Sequence, residues 1–177
     1  TGQVMLTYQS PTGGEGPATI YCNTDPDGLG SSGFGARVTI TTTNVGGFDF
    51  IPAQSSRSID AEAGLAWDRT GGPHNGRVYL VYTDESPDES NNTDIQVRFS
   101  DNHGSSWSAA VKANDDATTK SQFNPRIAID QTTGIIAVAW MDCRNSAGNN
   151  TAQNWATIST DFGVTFLSNI QVSAGSS

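Results

Sequence analysis

The chain has 177 residues, enough for one ordinary domain or a few repeat units, and a chain of this length can bury a core without a metal or disulfide staple. Its 9 basic residues stand against 18 acidic ones, so the net charge is −9, which argues against nucleic acid as a partner because it repels phosphate backbones. No apolar run approaches the roughly 20 residues of a membrane span, and 19 glycines with abundant Ser, Thr and Asn favour an all-β fold.

One strand pattern occurs three times in chain order. A glycine precedes an aromatic residue by six positions in Gly2–Tyr8, Gly76–Tyr82 and Gly134–Trp140, and apolar residues hold alternate positions between them. A period of two predicts strands. In the last two copies the intervening positions are mostly apolar as well, so we expect those strands to be covered on both faces. Because Tyr8 and Tyr82 follow the apolar pattern, we expect both to pack in the core.

The second and third copies each belong to a predicted unit of four strands. A shorter strand precedes each copy, at Gly64–Asp68 and at Arg126–Asp130, and leads into it through a polar, glycine-containing turn. Two further strands follow in each unit, at Ile95–Phe99 and Ala110–Lys112, and at Trp155–Ile158 and Asn169–Val172. Four antiparallel strands repeated every 50–60 residues or so are the plan of a β-propeller blade.

Three blades are therefore predicted. Residues 1–59 form an irregular, incomplete first blade, 60–120 the second and 121–177 the third. In the first blade, Ala18–Cys22 and Arg37–Ile40 are the expected third and fourth strands, and Asn23–Gly28 is a degraded turn motif; the sequence holds no counterpart of the first strand. Three blades do not close a ring. We expect a partial propeller, such as half of a six-bladed one, completed by more blades or by self-association.

A second repeated motif occupies the predicted turn between the third and fourth strands. Ser100–Trp107 and Ser159–Phe166 share the frame Ser-x-Asx-x-Gly-x-(Ser/Thr)-aromatic, and their aromatic residues are 59 positions apart. The defining residues are Ser100, Asn102, Gly104, Trp107, Ser159, Asp161, Gly163 and Phe166. We predict a structural role for all of them. Asx and Ser side chains accept backbone N–H groups, glycine allows a positive φ, and the aromatic side chains pack between sheets.

This motif resembles the Asp-box, or BNR repeat, although Asn102 replaces the usual Asp in the first copy. The segment Ala139–Asn145 resembles the Trp-x-Asp-x-Arg text of bacterial secreted sialidase-like propellers. The resemblance covers residues 60–174 and implies a secreted or extracellular protein with the sialidase-superfamily propeller fold, whose box turns lie away from the ligand site. It implies less about activity, since Asp-boxes also occur in non-catalytic modules.

Functional residues are expected at the end of the blades opposite the box turns. The predicted loops there, Thr83–Asp94 and Asp142–Asn154, are long, and the connections between blades reach the same end. The candidate ligand-binding residues are Asp60, Glu62, Asp84, Arg126, Asp142 and Arg144. Sialidases hold a substrate carboxylate with arginines, so the resemblance implies this role for Arg126, at the start of an inner strand, and for Arg144. The alternative is that Arg144 pairs with Asp142 or another loop carboxylate, and Arg126 with Asp142 or Asp84.

Three further predictions concern catalytic residues, calcium and the two cysteines. Glycoside hydrolysis needs an acid and a nucleophile or base, a tyrosine in sialidases, and the sequence offers no such set, so catalytic residues stay unknown. Carboxylates crowd one loop and make a candidate calcium site, with a solvated acidic loop as the alternative. Those carboxylates are Asp84, Glu85, Asp88 and Asp94. Cys22 and Cys143, 121 residues apart, are expected to be free, partly buried thiols rather than a disulfide.

Two functions remain open from the sequence. The first is a non-catalytic propeller module that binds a glycan or an extracellular protein, or that serves a structural role. The second is an exo-sialidase-type glycoside hydrolase or a fragment of one. A central pocket holding both arginines would favour the enzyme, and arginines held in separate salt bridges would favour the module.

Overall fold

The computed structural model describes residues 2–10 and 14–177 and contains three antiparallel sheets. The first blade consists of β1 (Val4–Gln9), β2 (Ala18–Asp25) and β3 (Val38–Thr43). The second consists of β4 (Gly64–Trp67), β5 (Val78–Glu85), β6 (Thr93–Ser100) and β7 (Val111–Lys112). The third consists of β8 (Gln122–Ile129), β9 (Ile136–Asp142), β10 (Gln153–Ser159) and β11 (Ile170–Gln171). Each sheet is a meander of sequential neighbours. The predicted partial β-propeller is thereby confirmed.

The sheets fall within the three predicted residue ranges, with a short 3₁₀ helix, Pro52–Gln54, between the first and second. Several strands extend beyond their predicted bounds. β5 continues to Glu85 and β6 begins at Thr93, so Asp84 lies opposite Asp94 inside the sheet rather than in a loop. β8 begins at Gln122 and has an irregularity between Phe123 and Arg126. Arg126 therefore follows a bulge in mid-strand. The prediction that it starts the strand was wrong.

The blades pack face to face through apolar cores. Val78, Leu80 and Tyr82 of β5 lie in clusters with Met5, Ile20 and Cys22 of the first blade. Tyr79 and Val81 lie on the opposite face of β5. They cluster with side chains of β9 in the third blade. This confirms that β5 is covered on both faces. The same prediction for β9 was wrong, because Ala137 and Ala139 on its other face are exposed. Trp107 packs in the first of these interfaces and Phe166 in the second, so each aromatic lies between its own blade and the preceding one.

The two box turns share one hydrogen-bond pattern. Ser100 Oγ accepts the Gly104 N–H at 2.9 Å, and Ser159 Oγ accepts the Gly163 N–H at 2.8 Å. The Asx side chain two residues after each serine accepts a backbone N–H four residues further on, at 2.9 Å in both turns. Both glycines have a φ of 84°. These contacts stabilise a hairpin turn, as predicted from the sequence.

The first blade contains the same turn with different residues at the serine and glycine positions. Asp25 ends β2, and its Oδ2 accepts the Leu29 N–H at 3.1 Å, as the serine does in the other blades. Leu29 has a φ of 69° at the position of the box glycine. The turn motif of the first blade therefore begins at Asp25, two residues after the predicted start at Asn23. The carboxylate of Asp25 takes the place of the serine hydroxyl in the other two turns.

Exposure separates residues that the pattern treats alike. Tyr82 is buried as predicted, but Tyr8 is 41% exposed, because no described blade covers that face of β1.

Cys22 and Cys143 are both buried and free, which confirms the expectation of two thiols. Burial raises the pKa of Cys143 to about 12, so this thiol stays protonated. Among the described residues, no helix is long and apolar enough to cross a membrane.

Candidate functional site

A group of polar side chains gathers where the first strands of the second and third blades meet. Asp60 and Glu62 lie in the connection that enters β4, and Asn124 and Arg126 lie at the bulge of β8. β4 and β8 contact each other, so residues far apart in sequence come together here. We call these four residues the inner-strand cluster. Of the six candidate ligand-binding residues, it contains Asp60, Glu62 and Arg126.

Arg126 is the exposed cation of this cluster. Its side chain is 70% exposed, and Nη1 lies 3.4 Å from Glu62 Oε2. The same nitrogen donates a 2.7 Å hydrogen bond to the Pro125 carbonyl. An exposed pair at this distance contributes little stability, so the guanidinium can exchange Glu62 for a ligand at small cost. The predicted partners, Asp142 and Asp84, were wrong, because the packing of β4 on β8 brings Glu62 to Arg126 instead.

Glu62 is held in a strained and partly desolvated position. Its φ is 46°, a left-handed conformation unusual for a glutamate. The Asp60 carboxylate accepts the Glu62 N–H at 2.6 Å and supports this turn. Burial, with a contribution from the negative charge of Asp60, raises the pKa of the Glu62 carboxyl, and Arg126 opposes that rise. Strain and a perturbed pKa at one residue are features that often mark functional sites.

Asn124 supplies an unpaired acceptor beside the arginine. Its φ is 57°, and its Oδ1 is buried with no hydrogen-bond partner among the described residues. An unpaired buried polar atom typically costs about 1–3 kcal/mol, so a donor from a ligand would be stabilising here. A cavity of about 150 Å³ opens at this point. Its lining residues are Asn124, Arg126, Ala139, Trp140, Met141 and Asn154. The arrangement can bind an anion at Arg126 and hydroxyl groups at the two amides.

Sequence reasoning missed Asn124, although one signal was available. Asparagine tolerates a positive φ better than most residues, and a proline inside a strand lacks the ladder N–H and is confined to edge strands, strand starts or bulges. The pair Asn124–Pro125 inside a strand pattern therefore indicates a bulge, and bulges often redirect side chains at functional sites.

Arg144 lies apart from this cluster, in a closed ionic network. Its Nη2 contacts Asp142 Oδ2 at 2.8 Å and its Nη1 contacts Asp115 Oδ1 at 2.8 Å. Its guanidinium also lies 4.1 Å from the ring centre of Trp155. Asp142 is fully buried and also accepts the Trp140 indole N–H at 2.8 Å. The predicted pairing of Arg144 with Asp142 is thus present, and the two arginines do not share a pocket.

The four carboxylates of the candidate calcium site are not brought together. Asp84 Oδ1 accepts the Asn44 N–H at 3.0 Å, and Asp94 pairs with Lys112 at 3.3 Å. Glu85 is buried and accepts backbone N–H groups of its own loop, while Asp88 is exposed. Over residues 2–10 and 14–177, no three acidic, histidine or cysteine side chains are placed to hold a metal ion. The predicted calcium site is therefore not assembled in the structure, because Asp84, Glu85 and Asp94 bind protein groups instead.

A second cavity lies at the opposite end of the blades. It has a volume of about 270 Å³ and is lined by Gln3, Trp67, Asp68, Arg69, Asn75, Gly76 and His103. These residues come from the β4–β5 turn, the start of the chain and a box turn. It is larger than the cavity beside Arg126, but its polar lining includes no buried unpaired atom among the described residues.

Comparison with solved structures identifies the fold. A Penicillium chrysogenum α-L-arabinanase complexed with arabinobiose superposes with a TM-score of 0.64 at 11% identity, covering 97% of this chain and 45% of that one. A Hadza microbial sialidase gives a TM-score of 0.60 at 13% identity, covering 93% and 34%. The intramolecular trans-sialidase from Ruminococcus gnavus, in complex with oseltamivir carboxylate, gives 0.54 at 15% identity, covering 89% and 27%.

These likenesses show that the chain has the sialidase-like propeller fold. The chain spans less than half the length of each of these three proteins. No family model matches the sequence, and no curated protein matches it either.

Proposed function

We propose that this chain is an extracellular, sialidase-like propeller module that binds an acidic glycan at the inner-strand cluster and is non-catalytic by itself. One observation carries the proposal: a single cavity is lined both by the exposed, weakly bound guanidinium of Arg126 and by Asn124, whose buried Oδ1 has no hydrogen-bond partner among the described residues. A guanidinium binds a carboxylate through two parallel hydrogen bonds. A sugar hydroxyl would satisfy the asparagine acceptor.

The comparisons support a glycan as the ligand class. The superposed proteins are named as a sialidase, a trans-sialidase in complex with oseltamivir carboxylate, and an α-L-arabinanase complexed with arabinobiose. The acidic net charge of −9 adds a selectivity argument, because an anionic ligand needs a local cation to overcome the general repulsion.

The binding experiment uses a matched pair of arginine variants. The probe is the α-methyl glycoside of N-acetylneuraminic acid, titrated calorimetrically into wild type, Arg126→Ala and Arg69→Ala. Arg69 is exposed and lies at the opposite end of the blades, so its loss controls for net charge. We expect Arg126→Ala to weaken binding about 10- to 100-fold, which is the value of a charge-assisted hydrogen bond, and Arg69→Ala to leave it unchanged.

The methyl ester of the same sugar separates charge from shape. Since the ester lacks the carboxylate, it is expected to bind wild type as weakly as the acid binds Arg126→Ala. Equal affinity of ester and acid, or no effect of Arg126→Ala, would refute a carboxylate site at this arginine.

An exo-glycosidase is the second candidate, and one observation favours it. Glu62 has a raised pKa and a second carboxyl, Asp60, beside it, which is an elementary requirement of glycoside hydrolysis. The test is release of methylumbelliferone from its sialoside and its α-L-arabinofuranoside. The non-catalytic proposal predicts no turnover above buffer for either substrate. Turnover that is lost in Glu62→Gln would establish the hydrolase instead.

A further inference from the structure

The two outer faces of the three-blade stack expose apolar side chains, and no blade among the described residues covers either face. On the first blade, Leu6 is 51% exposed and Tyr8 is 41% exposed. Their counterparts in the second blade, Leu80 and Tyr82, are buried against a neighbouring blade. The pattern of side chains in β1 is thus that of a strand packed on a preceding blade.

The third blade presents the complementary face. An apolar groove of about 250 Å³ crosses β9, β10 and the approach to β11. Its lining residues are Ala137, Ala156, Thr157, Ile158, Leu167, Ser168 and Ile170. By register from the aligned strands, Ala137 corresponds to Tyr79 of the second blade and to Met5 of the first. In those two blades this face receives the box turn of the following blade.

Both internal interfaces place a box glycine against the side chain at that position. A Cβ on Gly104 would lie 2.7 Å from Met5 Cε, and a Cβ on Gly163 would lie 2.9 Å from Tyr79 Cε1. The Tyr79 ring thus leaves no room for a side chain at Gly163, whereas Met5 Cε ends a flexible side chain that can move away from Gly104. The restriction reflects close packing between consecutive blades.

The sizes are reversed at the two outer faces. The first blade has Leu29, 70% exposed, where the other box turns have glycine. The third blade has Ala137 where the other receiving faces have Tyr79 or Met5. A large residue on one outer face thus matches a small residue on the other. The exposed Phe34, which follows the turn, stands where Trp107 and Phe166 plug the internal interfaces.

From this size exchange we propose that two copies of the chain associate, with the first blade of each packed on the third blade of the other. A twofold axis then produces two identical junctions and leaves neither face uncovered. The junction continues the blade-to-blade packing already present within the chain. Two sets of three blades would form a closed ring of six, which removes the exposed sheet faces that an open stack retains.

Molar mass in solution tests the association. Light scattering after gel filtration is expected to give twice 18.6 kDa for wild type. Leu6→Asp places a charge in the junction and should yield a monomer, whereas Val164→Asp, at an equally exposed aliphatic residue on a box turn, should remain dimeric. A monomeric wild type at the highest concentration reached would overturn the proposal, and other blades or another protein would then cover these faces. A mass above that of a dimer would overturn it as well.

A size-exchange pair tests the proposed contact itself. Ala137→Tyr should raise the dimer dissociation constant about tenfold or more by overpacking against Leu29. Leu29→Gly should restore association in the Ala137→Tyr background, because the pair would then reproduce Tyr79 and Gly163. Circular dichroism checks that each variant is folded. If Ala137→Tyr leaves the dimer unaffected, or if Leu29→Gly fails to rescue it, the assigned junction is wrong.

Discussion

Gly163 lies against the ring of Tyr79 in the preceding blade, so closely that a Cβ at this glycine would come within 2.9 Å of Tyr79 Cε1. The Tyr79 hydroxyl also donates a 3.2 Å hydrogen bond to the carbonyl of Phe162, the residue before the glycine. The box turn is therefore fixed both by its own hydrogen bonds and by the blade on which it packs. This contact explains why the repeated motif is structural.

Gly163→Ala should be more destabilising than an ordinary glycine substitution at positive φ. The control is Gly71→Ala, since Gly71 has a φ of 75° but no atom within 4 Å of an added Cβ. Backbone strain alone predicts a loss of about 1–2 kcal/mol for Gly71→Ala. Overpacking against Tyr79 should add about 1–3 kcal/mol for Gly163→Ala. Urea unfolding measures both free energies, and equal losses in the two variants would contradict the packing explanation.

Arg144 and Arg126 should differ sharply in their effect on stability. Arg144→Ala leaves the fully buried Asp142 without its main cation, and breaking such a pair typically costs about 3–5 kcal/mol. Arg126→Ala removes only an exposed contact at 3.4 Å and should change the free energy of unfolding by less than about 1 kcal/mol. Thermal and urea unfolding of both variants give the comparison. A large loss for Arg126→Ala would mean that this residue also belongs to the scaffold.

Stability should decline as the pH rises toward neutrality, because of Asp49. Burial, followed by the negative charges of Glu85, Glu89, Glu15 and Asp88, raises the pKa of Asp49 to about 7 from 3.8. The folded state thus binds a proton that the unfolded state has released, and this stabilisation is present below pH 4 and is lost between about pH 4 and 7. Asp49→Asn should match wild type only near pH 4 or below, where the carboxyl is protonated in both states.

At pH 8 the same variant should be more stable than wild type by on the order of 2 kcal/mol, since wild type then holds a buried charge. Asp88→Asn, an exposed acid near the same group, should retain most of the wild-type pH dependence. Denaturant titrations at the two pH values provide the measurement. A constant difference between Asp49→Asn and wild type would exclude Asp49 as the titrating group.

Asp161 should give the opposite pH dependence at acid pH. Hydrogen bonds from the side chain and then the backbone N–H of Thr165 lower the pKa of Asp161 to about 2. Its contribution is present above pH 3.8 and is lost as the pH falls toward 2. Asp161→Asn should reduce the loss of stability between pH 4 and 2, as measured by unfolding. Asn102 holds the equivalent turn without a titrating group, so the reciprocal Asn102→Asp should increase that loss.

The strands and their grouping could be predicted because both signals are local. Alternating apolar residues define strands such as β5, and the repeated turn motif defines the blade. Burial could not be predicted equally well, since Tyr8 and Tyr82 share one pattern and differ only in whether another blade covers them. A sequence pattern reports the face of a strand, but not the presence of its neighbour.

The candidate site was less predictable for a related reason. Glu62 and Arg126 are 64 residues apart, and their contact depends on how two blades pack. Arg144 and Asp142 are two residues apart, and that pair was predicted as an alternative. The bulge that presents Asn124 changes the register of a strand by a local backbone conformation, which a period-two pattern does not contain.

Nitrogen-15 chemical shifts during titration with the acidic sugar test most directly which end of the propeller binds a ligand. We predict that the largest changes fall at Glu62, Asn124, Arg126, Met141 and Asn154, around the inner-strand cluster, and that they vanish in Arg126→Ala. Changes centred instead on Trp67, Asn75 and His103, at the box-turn end, would contradict the assignment of the site. No change at any position would contradict glycan binding by this chain.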